Sequence, residues 1–241
     1  MTDHIHPCRF CQNPLKTTFA DLGMSPLANS YVSKEKLQHM EPFYPLRVYV
    51  CEKCFLVQLN EFQSPEHIFV DYAYFSSFSD SWLKHCKEYS DLMVKRFGFD
   101  SSSLVVEVAS NDGYLLQYFK EKKIPVMGIE PAANVAKVAE EKGIPTLTKF
   151  FGQKTALGLV AEGKQADLLL GNNVLAHVPD LHDFVSGMKT LLQKDGVITM
   201  EFPHLLRLIK ENQFDTIYHE HFSYLSFIVV EKVFSKHGLT L

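Results

Sequence analysis

Two C-x-x-C pairs, Cys8/Cys11 and Cys51/Cys54, and an unbroken Tyr218-His219-Glu220-His221 run carry the reactive side chains of this 241-residue chain. Two thiolates three positions apart on a tight knuckle can aim at one tetrahedral ion. Two such knuckles complete a closed four-sulfur zinc site. Residues 12–50 separate the pairs, so tertiary folding must bring them together. The other reading of a C-x-x-C is redox, but that motif stands once, between a strand and a helix. A chain kept in a reducing compartment favours metal over disulfides. The fifth cysteine, Cys86, shares an apolar helical face with Trp82, Tyr89, Met93 and Phe97. It reads as a small buried hydrophobe rather than a nucleophile.

In the 218–221 run, imidazole is the side chain that titrates nearest neutrality and can take a proton from a carbon acid. A neighbouring carboxylate can orient it and raise its basicity. The H-E-H spacing is not the H-E-x-x-H of a zinc helix. A polar loop of stacked aromatics is the alternative for any single histidine. For the cluster, expected at the open end of a sheet, a functional role is favoured.

A third set lies at Val106-Glu107-Val108-Ala109-Ser110-Asn111-Asp112-Gly113, a strand, a small-residue turn and a helix entry. Ala109 and Ser110 let a ligand approach the backbone, and Gly113 permits a sharp turn. The loop is neither G-x-G-x-x-G nor a Walker loop. Glu107 and Asp112 repel phosphate and suit a cationic, amine-bearing ligand. Glu130, at the end of the next strand and before Pro131, is placed to accept from a ribose diol. S-adenosylmethionine has a sulfonium, an amine and such a diol. Ordinary turn residues are the competing reading. Asn172 and Asn173, closing a buried strand, are read equally as ligand-bonding amides and as turn formers. His177 reads as a packing residue or as one standing behind the site residues.

The elements that must position these groups follow from periodicity. Residues 1–65 are short and irregular, with strand candidates at Tyr44–Val50 and Leu56–Asn60 around the second knuckle. This part is too small and polar to hold together without metal. An aromatic segment, 71–79, leads into a helix over 80–97. From Leu104, strands (104–110, 126–130, 145–148, 166–170, 196–202) alternate with helices (113–122, 132–142, 153–162, 181–193), which means βαβ units and a mostly parallel sheet. A helix over 225–236 ends at Gly238. Thr240-Leu241 looks like the start of a strand, so the chain is read as a fragment with the last strands of the sheet missing. The expected division is 1–65 zinc-binding domain, 66–100 linker and helix, and 101–241 incomplete core.

Composition narrows the classes. Hydrophobic residues make up 46% and charged residues 22%, with 24 basic against 28 acidic groups and a net charge of −4. No Lys/Arg stripe argues for a nucleic-acid partner. No apolar run approaches the roughly 18 residues of a membrane span, and the polar N-terminus lacks a signal-peptide core. The expectation is a soluble, cytoplasmic protein.

The motifs C-R-F-C, C-E-K-C, Y-A-Y-F-S-S-F-S-D-S-W, V-E-V-A-S-N-D-G-Y-L-L, G-I-E-P-A, N-N-V-L-A-H-V-P-D and Y-H-E-H-F-S-Y together resemble the S-adenosylmethionine-dependent nucleotide-sugar C-methyltransferases. The resemblance implies an α/β fold, a Rossmann-like class I methyltransferase sheet behind a small zinc-binding domain. It implies methylation of a carbon, C3, next to the ketone of a nucleotide-linked (dTDP) 4-keto deoxysugar, with neither nucleic acid nor membrane as partner. Carried over, Cys8, Cys11, Cys51 and Cys54 bind structural zinc. Glu107, Ala109, Ser110, Asn111, Asp112 and Gly113 cradle the methionine part of the cofactor, and Glu130 holds its ribose. Phe150 and Phe151 flank the adenine, and Asn172 and Asn173 line the methyl-transfer side. Tyr74, Ser77 and Ser79 reach cofactor and sugar from the linker, and Tyr224 the sugar. His221 is the base, with Tyr218 and Glu220 beside it. The generic methyltransferase loop has Gly where this chain has Ala109, which the family tolerates, and the family has a C-terminal domain after the core. Two rival readings are a nucleic-acid methyltransferase gripping its target with the zinc knuckles, and a non-catalytic cofactor-binding module.

Overall fold

The computed structural model describes residues 6–69 and 72–241. Asp71 of the aromatic segment and the first five residues of the polar N-terminus lie outside the described residues. In chain order the elements are β1 (Thr17–Ser25), β2 (Tyr44–Val50), β3 (Val57–Leu59), α1 (Pro65–Phe69), α2 (Asp80–Phe97), β4 (Val105–Val108), α3 (Leu116–Glu121), β5 (Val126–Ile129), α4 (Ala133–Glu141), β6 (Thr146–Leu147), α5 (Gln153–Ala161), β7 (Ala166–Asn172), α6 (Leu181–Leu191), β8 (Leu192–Glu201), α7 (Leu205–Glu211), β9 (Ser223–Tyr224) and α8 (Phe227–Lys236). They fall into two compact units. The first holds residues up to Ile68, Leu175–His182 and Phe202–Leu241; the second holds Phe69–Val174 and Asp183–Glu201.

The second unit is built on a five-stranded sheet in the order β6-β5-β4-β7-β8. Every pairing in it is parallel. Strands covered on both faces read as continuous apolar runs, and β4 and β5 are buried at every position. Phe119, Leu115 and Leu116 of the α3 region pack with Val105, Leu168 and Leu170 of the sheet and with Cys86 and Met93 of α2. Cys86 is indeed a core residue, fully buried. Helix α2 is fixed at both ends. Ser79 Oγ accepts from the Trp82 N–H, and Gly98, at φ 73°, donates to the Val94 carbonyl. These are ordinary caps, an N-cap hydroxyl and a left-handed glycine.

The first unit carries an antiparallel sheet, β1-β2-β3-β9. Its apolar cluster joins Leu46, Val48, Val57 and Leu59 to Leu208, Ile217 and Tyr224. Several expectations change here. Strand β1 is not legible in the sequence because most of it is exposed and bulged, with register shifts after Thr18 and Asp21. The 218–224 run does not extend the parallel sheet; its strand β9 pairs with β3. Residues 202–241 lie in the first compact unit with the N-terminal segment. The helix read over 113–122 begins at Leu116, because Asn111 (φ 49°) and Gly113 (φ 75°) turn the backbone left-handed first. The helix read from Leu225 begins at Phe227, since the Leu225 carbonyl accepts from the Leu205 N–H. Thr240 and Leu241 lie in no strand, and β7 continues through Asn172. Among the described residues no helix is long and apolar enough to cross a membrane.

Gly113 has little freedom. A Cβ there would meet the Ile144 Cδ1 methyl, and its φ is left-handed. Left-handed backbone costs a non-glycine residue about 1–2 kcal/mol, and overpacking adds about 1–3 kcal/mol. Gly113→Ala should lower the unfolding free energy by about 2–5 kcal/mol in urea titration.

Candidate functional site

In the first unit the four knuckle sulfurs converge. All lie within 4.8 Å of one another, with Cys8–Cys54 and Cys11–Cys51 at 3.5 Å. Zinc–sulfur bonds of about 2.3 Å in a tetrahedron place sulfurs about 3.8 Å apart, so the cluster fits a single zinc ion. The two knuckles match in backbone. Gln12 (φ 60°) donates its N–H to Cys8, and Phe55 (φ 69°) donates to Cys51. Both are left-handed residues just after the second cysteine. The Cys8–Cys54 contact makes the thiols unequal, Cys8 pulled down and Cys54 pushed up, each chiefly by the other.

The acid–base run lies in the same unit. His221 Nδ1 is 2.8 Å from the Thr216 carbonyl, to which it must donate. Its Nε2 therefore carries the lone pair and accepts the Tyr218 hydroxyl at 2.9 Å. Burial holds the His221 imidazole below its ordinary value and pushes the Tyr218 phenol up. Glu220 is turned away from this pair: its Oε1 accepts from Asn29 Nδ2 at 2.8 Å. The expectation that the carboxylate orients His221 is corrected, because the Thr216 carbonyl performs that task. Burial raises the Glu220 carboxyl, against the Asn29 hydrogen bond. His177, read as a packing residue, stands 4.7 Å ring to ring from His221 and bonds the Glu220 carbonyl through Nδ1. Tyr224 is only 4% exposed, inside the apolar cluster of the sheet.

The turn after β4 lies in the second unit and is almost wholly buried. Glu107 and Ser110 are fully buried, and Asn111, Asp112 and Glu130 are at most 5% exposed. Burial lifts the Glu107 carboxyl well above its usual range, with the Tyr114 phenol acting against the rise. Ala109 adopts φ 57°, the conformation for which a glycine is usual. Glu130 braces the turn: Oε2 accepts from the Asn111 N–H and Oε1 from the Ala132 N–H, both at 2.9 Å. Each of its oxygens keeps a lone pair for a further donor.

The linker is stitched to this turn by Asn111 and by two residues that sequence reasoning missed, Lys142 and Asn134. Lys142 Nζ donates to Ser77 Oγ, the Asp112 carbonyl and Asp112 Oδ2. Asn111 donates to the Tyr74 carbonyl and accepts from the Ser76 N–H. Asn134 exchanges two hydrogen bonds with the Tyr72 backbone. A lysine at the end of a helix and an asparagine inside one carry no sequence signal of such a role. Ser79 uses its hydroxyl as the α2 cap. Phe150 is 37% exposed, whereas Phe151 packs edge-on against Phe184 at 5.4 Å. Asn172 ends β7, and Asn173 (φ 55°) turns away and donates its N–H to the Glu201 carbonyl. Among the described residues, Ser110 Oγ, Asp112 Oδ1 and Asn172 Nδ2 are buried without a hydrogen-bond partner. Buried orphans of both polarities at strand ends fit a ligand rich in donors and acceptors.

Metal analysis should find about one zinc per chain. Chelation should abolish the antiparallel sheet by circular dichroism, and zinc uptake should release protons, measurable with an indicator dye. A second outcome concerns pH. Burial first, then His221, pulls the His177 imidazole down to about 3, against about 6.5 in the unfolded chain. Between those values the unfolded state binds more protons, so the contribution of His177 to stability is present above about 6.5 and lost on acidification. The raised Glu220 carboxyl acts oppositely but cancels in a difference. The gap in unfolding free energy between the parent and His177→Asn should narrow as pH falls from about 6.5.

Comparison with known proteins matches these two sites. Residues 8–69 match the family model named "Putative zinc binding domain", and residues 82–241 match the methyltransferase domain model. The chain is 36% identical, over 242 aligned positions, to C-methyltransferase NovU of Streptomyces niveus, covering 99% of this chain and 58% of that protein. It thus spans little more than half the length of that relative. Its fold is similar to PH0226 of Pyrococcus horikoshii (TM-score 0.55, 15% identity, 73% of this chain and 89% of that one). It is also similar to a SAM-dependent methyltransferase from Archaeoglobus fulgidus (TM-score 0.50, 15% identity, 64% and 68%). The parallel sheet with its buried acidic turn, and the four-thiolate cluster before it, place the chain in the methyltransferase domain family, with S-adenosylmethionine as cofactor and an N-terminal zinc-binding domain.

Proposed function

We propose that the chain methylates a carbon beside a ketone, on a nucleotide-linked 4-keto deoxysugar, at C3 of a dTDP-linked substrate. The observation that carries this reading is the fixed tautomer of His221. With Nδ1–H held by Thr216, Nε2 faces the Tyr218 hydroxyl and is free to gain a proton. A base of this kind can take the proton from the carbon beside a ketone, the step that makes that carbon a nucleophile. Similarity to a protein named as a C-methyltransferase supports the reading.

When bound, S-adenosylmethionine supplies an electrophilic methyl group on a sulfonium. In this reading Glu107, Ala109, Ser110, Asn111, Asp112 and Gly113 seat its methionine part, with Asp112 Oδ1 open to the amine. Glu130 offers its remaining lone pairs to the ribose, Phe150 and Phe151 flank the adenine, and Asn172 and Asn173 line the methyl side. Tyr74 and Ser77 close over the cofactor, and Ser79 and Tyr224 contact the sugar. The ketone acidifies the neighbouring C–H. That proton passes to the Tyr218 oxygen as the Tyr218 proton moves to His221 Nε2, so the phenol is neutral before and after. The electron pair left on carbon would form the new C–C bond as the methyl–sulfur bond breaks, its electrons remaining on sulfur, which leaves as a neutral thioether. Burial keeps Tyr218 protonated at rest, which suits a relay rather than a standing phenolate.

General-base catalysis contributes typically 10²–10⁴-fold. His221→Ala and Tyr218→Phe should therefore each lower turnover by about 10²–10⁴-fold, with cofactor affinity by calorimetry unchanged. Turnover is read as the mass gain of one methylene across a panel of keto-sugar nucleotides. Full activity in His221→Ala would remove the assignment. Cofactor binding without methylation of any keto-sugar would remove the substrate class.

A further inference from the structure

Arg9 sits between Cys8 and Cys11 on the first knuckle, and nothing in the reaction above uses it. Its guanidinium donates from Nη1 to the Pro179 carbonyl at 2.8 Å and from Nη2 to the Leu59 carbonyl. It also lies 5.4 Å from the centre of the Phe222 ring. Phe222 directly follows His221. Among the described ion pairs, none involves Arg9. Its charge is answered by carbonyl dipoles, by an aromatic face and by the charges of Glu61, Cys8 and Asp180.

Gln58 completes the connection. It is 2% exposed in the middle of β3, between Val57 and Leu59. An amide in a buried apolar strand must satisfy both of its ends. Its Oε1 accepts from the Arg9 N–H at 2.9 Å, and its Nε2 donates to Cys8 Sγ at 3.1 Å. The main chain of β3 continues the path. Gln58 pairs with Ser223, and the Leu59 N–H donates to the Phe222 carbonyl at 3.0 Å. Two side chains thus run from a metal-ligating sulfur to the strand β3, whose partner β9 follows the acid–base run. Four thiolates on one divalent cation leave a net charge of about −2. A half-buried guanidinium and an amide N–H beside that cluster offset part of such a charge.

We propose that Arg9 and Gln58 are positioning residues that tie the zinc cluster to residues 218–224, so that the metal sets the place of His221. The name acid–base run rests on the C-methylation reading, but the coupling itself is measured without turnover. Arg9→Lys keeps the charge and loses the planar fork. It should retain one zinc per chain and the parent's cofactor affinity by calorimetry. Amide hydrogen exchange over 218–224 should rise at least about tenfold, and the His221 ring, followed by NMR, should titrate nearer its ordinary value. Gln58→Leu should bind zinc about 10–100-fold more weakly in chelator competition. Arg9→Ala, loosened in the same way, should recover the parent's His221 titration when methylguanidine is added. Parent-like exchange and titration in zinc-loaded Arg9→Lys would overturn the coupling. So would unchanged zinc affinity in Gln58→Leu. Loss of cofactor binding along with the other changes would also overturn it, as general unfolding. An inactive parent would count against C-methylation and leave these results intact.

Discussion

Four sulfurs brought within 4.8 Å of one another are the constraint on which the first unit depends. The sheet they close is short of apolar material. Strand β1 is mostly exposed, and the apolar cluster beneath the sheet draws residues from β2, β3, α7 and β9. A core that small does not stand without a cross-link of some kind. Metal ligation answers this by holding two knuckles from distant parts of the chain at fixed separation, and the residues wedged between the ligands inherit that rigidity. The proposed tie through Arg9 and Gln58 carries that rigidity toward His221. A histidine whose tautomer is set by one backbone carbonyl keeps that tautomer only while the carbonyl is held still.

The second unit meets a different difficulty. A buried turn with acidic side chains at its strand end must be stabilised before any ligand arrives. Left-handed backbone at Ala109, Asn111 and Gly113 lets it double back within five residues. Glu130 takes up the amide hydrogens this exposes, and Lys142 neutralises Asp112 while reaching the linker. The polar atoms still without partners then mark what the fold leaves for the ligand. Electrostatics here are not those of two bare carboxylates, since burial favours the neutral form of Glu107; a cationic ligand would draw the proton off again.

Alternation of apolar runs with helical periodicity made the parallel sheet legible from Leu104 onward, because strands covered on both faces leave no other pattern. The cysteine spacing was legible for the same kind of reason: tetrahedral geometry admits few arrangements of four thiolates. Strand β1 was not, since an exposed, bulged edge has no apolar period. Neither was the partner of Glu220. Sequence adjacency suggested His221, but successive side chains diverge, and Asn29 lies far away in the chain. Long-range polar bonds from Asn29, Gln58 and Lys142 leave no periodic trace, so the groups that hold the site were the least visible part of it.

Strand β9 has a consequence for how the molecule is made. Strand β3 ends at Leu59, and its outer neighbour begins at Ser223. During synthesis at about 5–20 residues per second, that edge would wait on the order of ten seconds for its partner. Until then β3 presents unpaired main-chain donors and acceptors beside apolar side chains, a template for pairing with the wrong strand. Early metal capture by the two knuckles could hold the nascent hairpin, but not cover its flank. A chaperone, or low concentration of nascent chains, would have most to offer in that interval.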